Sequence, residues 1–169
     1  GMLRKSKIDI LFPADPRRPE KNHLLALRVG EELETRGWKV GITTLKKQPR
    51  TIVWDRMISA DVCLITSTRE SGPLVAREAI VCGCPVVADD IGDMGEWMDV
   101  YPHEVSSLAD GVEKVLSEGQ EVTLGEPLAT IEAMKMENKI VAERNGVIIK
   151  IHSSSGDNLE VGQLIMELK

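Results

Sequence analysis

Two patterns of apolar and polar positions divide the chain. Over residues 8–116 unbroken apolar runs alternate with stretches of helical period. "IDILF" (8–12), "WKVGIT" (38–43), "DVCLIT" (61–66) and "PVVAD" (85–89) are short and continuous, the form of parallel strands buried on both faces. Between the first two, Leu24, Leu25, Leu27, Val29 and Leu33 make a broad apolar face. They predict a helix from His23 to about Arg36, capped by Asn22 and closed by Gly37. "TIVWDRMISA" (51–60) and "LVAREAIVCG" (74–83) read as two further helices. The alternation predicts a doubly wound, Rossmann-like α/β sheet.

From about residue 118 short strands and glycine turns take over, as in "GVIIKI" (146–151) and "QLIMEL" (163–168). A shift of 37 residues superposes Gly119 on Gly156, Val122 on Leu159, Gly125 on Gly162, Leu128 on Ile165 and Ile131 on Leu168. The repeat predicts two related half-units around one core, with "EAMKMENK" (132–139) as the hairpin between them. Lys135 then stands on an exposed turn. Residues 110–116 admit two readings. "DGVEKVL" parallels "NGVIIKI" (145–151) and reads as a strand, yet Leu108, Val112, Val115 and Leu116 fall at helical spacing behind a Ser107–Asp110 capping box. The helix is the stronger reading, although Gly111 inside it costs about 1 kcal/mol.

Composition narrows the function classes. Charged residues are 28% and the net charge is −6, without the dense basic patch that nucleic-acid binding needs. No apolar run approaches a membrane span and no signal peptide opens the chain; Gly1 ahead of Met2 reads as a cloning remnant before the native start. Cys63, Cys82 and Cys84 fit no disulfide framework, which suits a cytoplasmic, reducing compartment. Cys82-Gly83-Cys84 is open to a redox or metal reading, but small buried hydrophobes are the commoner case. His23, His103 and His152 have no ligand spacing around them, so no metal site is expected. Trp54 and Trp97 read as packing residues, and Gly92-Asp93-Met94-Gly95 lacks the spacing of a dinucleotide fingerprint.

Ala133-Met134-Lys135-Met136, within Glu-Ala-Met-Lys-Met-Glu-Asn, resembles the attachment site of the biotinyl carrier domains of biotin-dependent carboxylases. The resemblance implies covalent biotin on Lys135, with Met134, Met136 and Glu132 read by a biotin protein ligase. It implies as partners the biotin carboxylase and carboxyltransferase subunits between which carboxybiotin travels. The implied fold is a flattened sandwich of two quasi-symmetric halves. Related lipoyl domains have Asp-Lys-Ala at this point, so the methionines favour biotin; a plain solvated hairpin lysine is the alternative. The family's opening strand carries a Met-Pro-Gly-like turn, and no such turn precedes 118–128 here, although "DGVEKVL" (110–116) could stand in for the strand. If 110–116 is a helix, the domain lacks its first strand and exposes a sheet edge open to self-association.

"RPEKN" (18–22) and "SADVCLITSTRESGPLVAREAIVCGCPVVADDIGD" (59–93) resemble the C-terminal, donor-binding half of GT-B glycosyltransferases of group 1. Glu70 and Glu78 stand in that family's E-x7-E spacing. The resemblance implies a sugar nucleotide, with Glu78 on the ribose, Glu70 facing the sugar, and Lys21 with Arg17 or Arg18 on the diphosphate. Ligands in such sheets bind beyond the carboxyl ends of strands, where Arg17–Asn22 and Ser67–Gly72 should lie. Ser71 stands where the family has glycine. The basic residues and Glu78 also read as solvated surface.

The expected architecture is a Rossmann-like domain over 1–117 and a small, incomplete all-β biotinyl/lipoyl-type sandwich over 118–169. No spacer rich in Pro, Ser or Gly separates them. There is no room for a transferase's acceptor-binding half, so no transferase activity is expected from the chain alone. A recombined chain with neither activity is the remaining alternative.

Overall fold

The computed structural model describes residues 7–68, 74–89, 100–102, 104–153 and 156–169. The chain divides into two compact units between Val115 and Leu116.

The front unit alternates strand and helix: β1 (Lys7–Phe12), α1 (His23–Thr35), β2 (Lys39–Thr44), α2 (Arg50–Ser59), β3 (Val62–Ile65), α3 (Leu74–Val81), β4 (Val86–Ala88) and α4 (Val105–Ser117). The four strands are parallel in the order β2-β1-β3-β4. Ile10 of β1 pairs with Ile42 on one side and Val62 on the other, so the winding reverses between β1 and β3. The unbroken apolar runs are explained by cover on both faces. Leu11, Cys63, Ile65 and Ala88 pack with Val53 and Met57 of α2 and Ala76 and Ala79 of α3. Ile8, Ile10 and Phe12 are buried on the alternate face. On α1, a Cβ at Gly30 would stand 3.1 Å from Ile42, so a small residue there lets helix and sheet approach.

Capping on α1 is as expected. The Asn22 side chain accepts from the Leu25 N–H at 3.3 Å. At the other end Gly37 takes φ +100°, Trp38 N donates to Leu33 O at 3.1 Å and Gly37 N donates to Glu34 O at 3.0 Å, a Schellman closure.

Residues 110–116 are helical, as part of α4. The apolar spacing decides it, because Leu108, Ala109 and Val112 are wholly buried. Burial of side chains like Leu108 and Val112 is worth about 1.5–3 kcal/mol each, more than Gly111 takes away. A polar clamp adds to this. Arg36, at the end of α1, bonds Asp110 at 2.8 Å and also bonds Glu113, while Trp38 Nε1 donates to Glu113 at 3.3 Å.

The back unit is antiparallel: β5 (Glu121–Val122), β6 (Pro127–Ala133), β7 (Met136–Val141), β8 (Gly146–Ile151) and β9 (Met166–Leu168). One sheet runs β5-β8-β9; β6 and β7 form a separate hairpin. The strand expected over 163–168 is shorter, as only Met166–Leu168 is extended and paired. The 37-residue repeat is written into the backbone. Gly125 and its counterpart Gly162 both have φ +84°. Each closes a turn whose N–H bonds back three residues, Glu126 N to Thr123 O at 3.0 Å and Gln163 N to Glu160 O at 3.1 Å. The side chains repeat as well: Thr123 N donates to Glu126 Oε2 and Glu160 N to Gln163 Oε1, both at 3.0 Å. The core is small, Val122, Ala142 and Ile148 with Leu128, Ile151 and Leu168 packed around them.

Candidate functional site

The β6–β7 hairpin closes through Ala133↔Met136, leaving Met134 and Lys135 as its two turn residues. Their φ angles are +52° and +63°, the pattern of a type I′ turn, which Asn-Gly ordinarily fills. Side-chain-bearing residues in this left-handed region cost about 1–2 kcal/mol each. Turn chemistry therefore does not explain Met-Lys here. Nor does packing: Met134 is 96% exposed and Met136 65% exposed. Glu132 and Glu137 face each other across the register just behind the tip. Among the described residues no side chain bonds or pairs with Lys135. The arrangement presents an unencumbered primary amine on a rigid two-stranded stem, between two apolar side chains that protrude into water.

The second constellation lies beyond the carboxyl ends of β1 and β3. Thr66 Oγ1 donates to the carbonyls of Lys21 (3.1 Å) and Asn22 (2.8 Å), and Thr68 N donates to Glu20 O at 2.8 Å. These bonds tie the loop after β3 to the 3-10 turn Pro19–Lys21 at the point where the winding reverses, so Arg17–Asn22 and the start of Ser67–Gly72 lie together as expected. Arg17 and Arg18 are each held by a carboxylate: Arg17 bonds Asp15 at 2.7 Å and Arg18 bonds Glu20 at 2.6 Å. The Arg17 hydrogen bonds lower the Asp15 carboxyl to about 2. Both pairs are exposed and hence weak, so an anion can compete for the arginines.

Glu78 is placed otherwise. One of its oxygens pairs with Arg50 and the other accepts from Trp54 Nε1 at 3.2 Å, so both face α2. Trp54 is therefore a half-exposed hydrogen-bond donor and not a simple packing residue. The i, i+4 spacing of Arg50 and Trp54 was the signal for this pair. Glu70, Ser71 and Gly72 lie outside the described residues, as do Trp97, His103 and Gly92–Gly95. The His23 ring packs against Phe12, tilted by 58° with centroids 5.0 Å apart, and His152 bonds Glu167 at 2.9 Å. Among the described residues no cluster of His, Cys, Asp or Glu could hold a metal, and no helix is long and apolar enough to cross a membrane.

Comparison with known proteins matches both halves. Residues 25–126, more than half of the chain, match the glycosyl transferases of group 1. Residues 102–168 match the biotin/lipoyl family described as biotin-requiring enzyme. A biotinylated protein of Mycobacterium leprae is 38% identical over 58 residues, 34% of this chain and 82% of that protein. The chain belongs to both families. The propionyl-CoA carboxylase alpha chain of Ruegeria pomeroyi is 55% identical over 51 residues, 30% of this chain and 8% of its own length. An uncharacterized glycosyltransferase of Methanocaldococcus jannaschii is 41% identical over 69 residues, 36% of this chain and 17% of that protein. The chain spans no more than about a tenth of the length of the carboxylases it matches. Both family matches include residues 102–126, the stretch that holds α4 and β5.

Proposed function

We propose that residues 118–169 are a biotin carboxyl-carrier module lacking the first strand of such a domain, with Lys135 as the attachment site. One observation carries the reading: Lys135 is offered at an exposed hairpin tip in a backbone conformation that its own side chain disfavours, which is where strain marks function. A biotin protein ligase reads Met134, Met136 and Glu132, whose exposure leaves them open to it. The Lys135 ammonium first loses a proton and with it the charge. The neutral amine then attacks the ATP-activated carboxyl carbon of biotin, expelling the activating group and a second proton, and leaves an uncharged amide. Biotin bound there supplies a ureido nitrogen that carries carboxylate between a biotin carboxylase and a carboxyltransferase. The hairpin holds the tether clear of the sheets, which raises its effective concentration at both partner sites without tight binding at either.

The front unit is proposed as the sugar-nucleotide-binding half of a glycosyltransferase, with Lys21, Arg17 and Arg18 on the diphosphate and Glu70 and Glu78 on the donor sugar and ribose. The loops joined at the β1/β3 reversal favour it. Glu78 must leave Arg50 and Trp54 to take part. The rival reading is a recombined chain with neither activity, stabilised by self-association at an exposed sheet edge.

Intact mass after incubation with biotin, ATP and a biotin ligase tests the carrier reading. One biotinyl increment is expected, absent from Lys135→Ala. No increment in the wild-type chain refutes it. Calorimetric titration with several sugar nucleotides tests the front unit, and silence across all of them removes that assignment.

A further inference from the structure

Resting on the reading of the front unit as a sugar-nucleotide-binding half, we propose that α2 regulates that site: Arg50 and Trp54 form a latch on Glu78, and a nucleotide's ribose must displace them to reach its carboxylate. Both oxygens of that carboxylate are engaged, one by the Arg50 guanidinium and the other by the Trp54 Nε1–H at 3.2 Å. Arg50 and Trp54 stand four residues apart in α2, hence on one face. Their backbones are fixed by the core beneath. Val53 and Met57 of α2 and Ala76 and Ala79 of α3 are buried in one apolar cluster, together with Leu45 just ahead of α2. The two helices therefore hold donors and acceptor in register without help from a ligand.

Placement makes the latch part of the site. α2 follows β2 and α3 follows β3 in a parallel sheet, so both helices start at the carboxyl end, where such sheets bind ligands. Arg50 is the first residue of α2 and Glu78 lies one turn into α3. The Leu45 N–H donates to Ala14 O at 3.2 Å, which ties the loop entering α2 to the one that carries Arg17 and Arg18. The Glu78 side chain is 20% exposed and that of Arg50 57%, so the acceptor lies beneath a donor that a ligand can draw away. A carboxylate only accepts, through two oxygens, and the ribose cis-diol offers two O–H donors. The diol replaces guanidinium and indole bond for bond, and no half-buried charge is left unsatisfied.

A closed latch lowers the apparent affinity by the fraction of molecules in which it is open. An exposed ion pair with one further hydrogen bond is modest, so its removal is expected to tighten binding about three- to tenfold. The test is calorimetric titration of the full chain with uridine diphosphate glucose, guanosine diphosphate mannose and adenosine diphosphate glucose. Arg50→Ala and Trp54→Phe, each freeing one oxygen, should bind more tightly than the wild type, while Arg50→Lys stays close to it. The gain must pass through Glu78, so Arg50→Ala added to Glu78→Gln should bring none. Ligand should also change the tryptophan emission of the wild type more than that of Trp54→Phe. Should Arg50→Ala misfold, Trp54→Phe, which keeps an aromatic ring in place, gives the answer. Equal affinity in the wild type, Arg50→Ala and Trp54→Phe overturns the latch and keeps the sugar-nucleotide reading. Weaker binding by both variants does the same. Silence of every variant toward all three ligands overturns the reading and the latch together.

Discussion

Gly111 sits in the middle of α4, where alanine is worth about 1 kcal/mol more than glycine in a free helix. The packing reverses the sign. A Cβ at 111 would stand 2.8, 2.9 and 3.0 Å from Cζ, Cε2 and Cε1 of Tyr101, well inside the roughly 3.5–4 Å of carbon contact. Three near-equal distances place the ring over the glycine, so the ring must slide away by most of an ångström. Tyr101 resists, because its N–H donates to Ala88 O at 3.0 Å and it bridges Asp89 at the end of the sheet. Overpacking of this kind costs about 1–3 kcal/mol, so Gly111→Ala is expected to destabilise the front unit by a net ~1 kcal/mol. Urea unfolding followed by tryptophan fluorescence reads that unit alone, since Trp38, Trp54 and Trp97 all precede α4. In a Tyr101→Ala background the same change should stabilise by about 1 kcal/mol, giving a coupling of ~2 kcal/mol. Gly111→Ala stabilising the wild-type chain would refute the reasoning.

Arg36→Ala strands Glu32, Asp110 and Glu113 without their shared cation and should lower front-unit stability by ~2 kcal/mol in the same assay. Burial alone would lower the Arg36 pKa, but bonds to Glu113, Asp110 and Glu32 hold it above its ordinary value. Asp15 should titrate at about 2 by NMR and return toward 3.8 in Arg17→Ala. Its folded pKa is depressed, so whatever it contributes is present at neutral pH and is lost only as pH falls from about 4 through about 2. A thiol reagent should modify Cys82 quickly and spare Cys63 and Cys84, both buried; burial raises the Cys63 thiol, and burial pushes Cys84 up to about 11. Three fast thiols in the folded protein would contradict the packing. Met134→Gly should relieve about 1 kcal/mol of left-handed strain while slowing ligase modification of Lys135, and faster modification would show that Met134 is not read.

The apolar runs at 8–12, 61–66 and 85–89 were enough to announce a parallel sheet, because strands covered on both faces leave no polar alternation. The hairpin tip was legible too, since the 37-residue repeat put Lys135 between two matched halves. Other features were not. Glu78 shares a spacing with Glu70, but its carboxylate is claimed by Arg50 and Trp54 of another helix, and linear spacing carries no information about such a partner. The last strand shortened to Met166–Leu168 because β8 reaches only that far along it.

Residues 110–116 show where local pattern gives way to tertiary structure. Their sequence supports a helix by its period of apolar positions and a strand by its likeness to 145–151, and the two family matches overlap there. The chain alone determined the two families, the parallel sheet and the lysine-bearing hairpin, since each is written in short-range periodicity or an internal repeat. The tertiary structure decided the fate of this segment. An apolar face of Leu108, Ala109 and Val112 found a ready core, and Arg36 found two carboxylates on the same helix. Those long-range contacts stabilise the helix by more than its glycine costs.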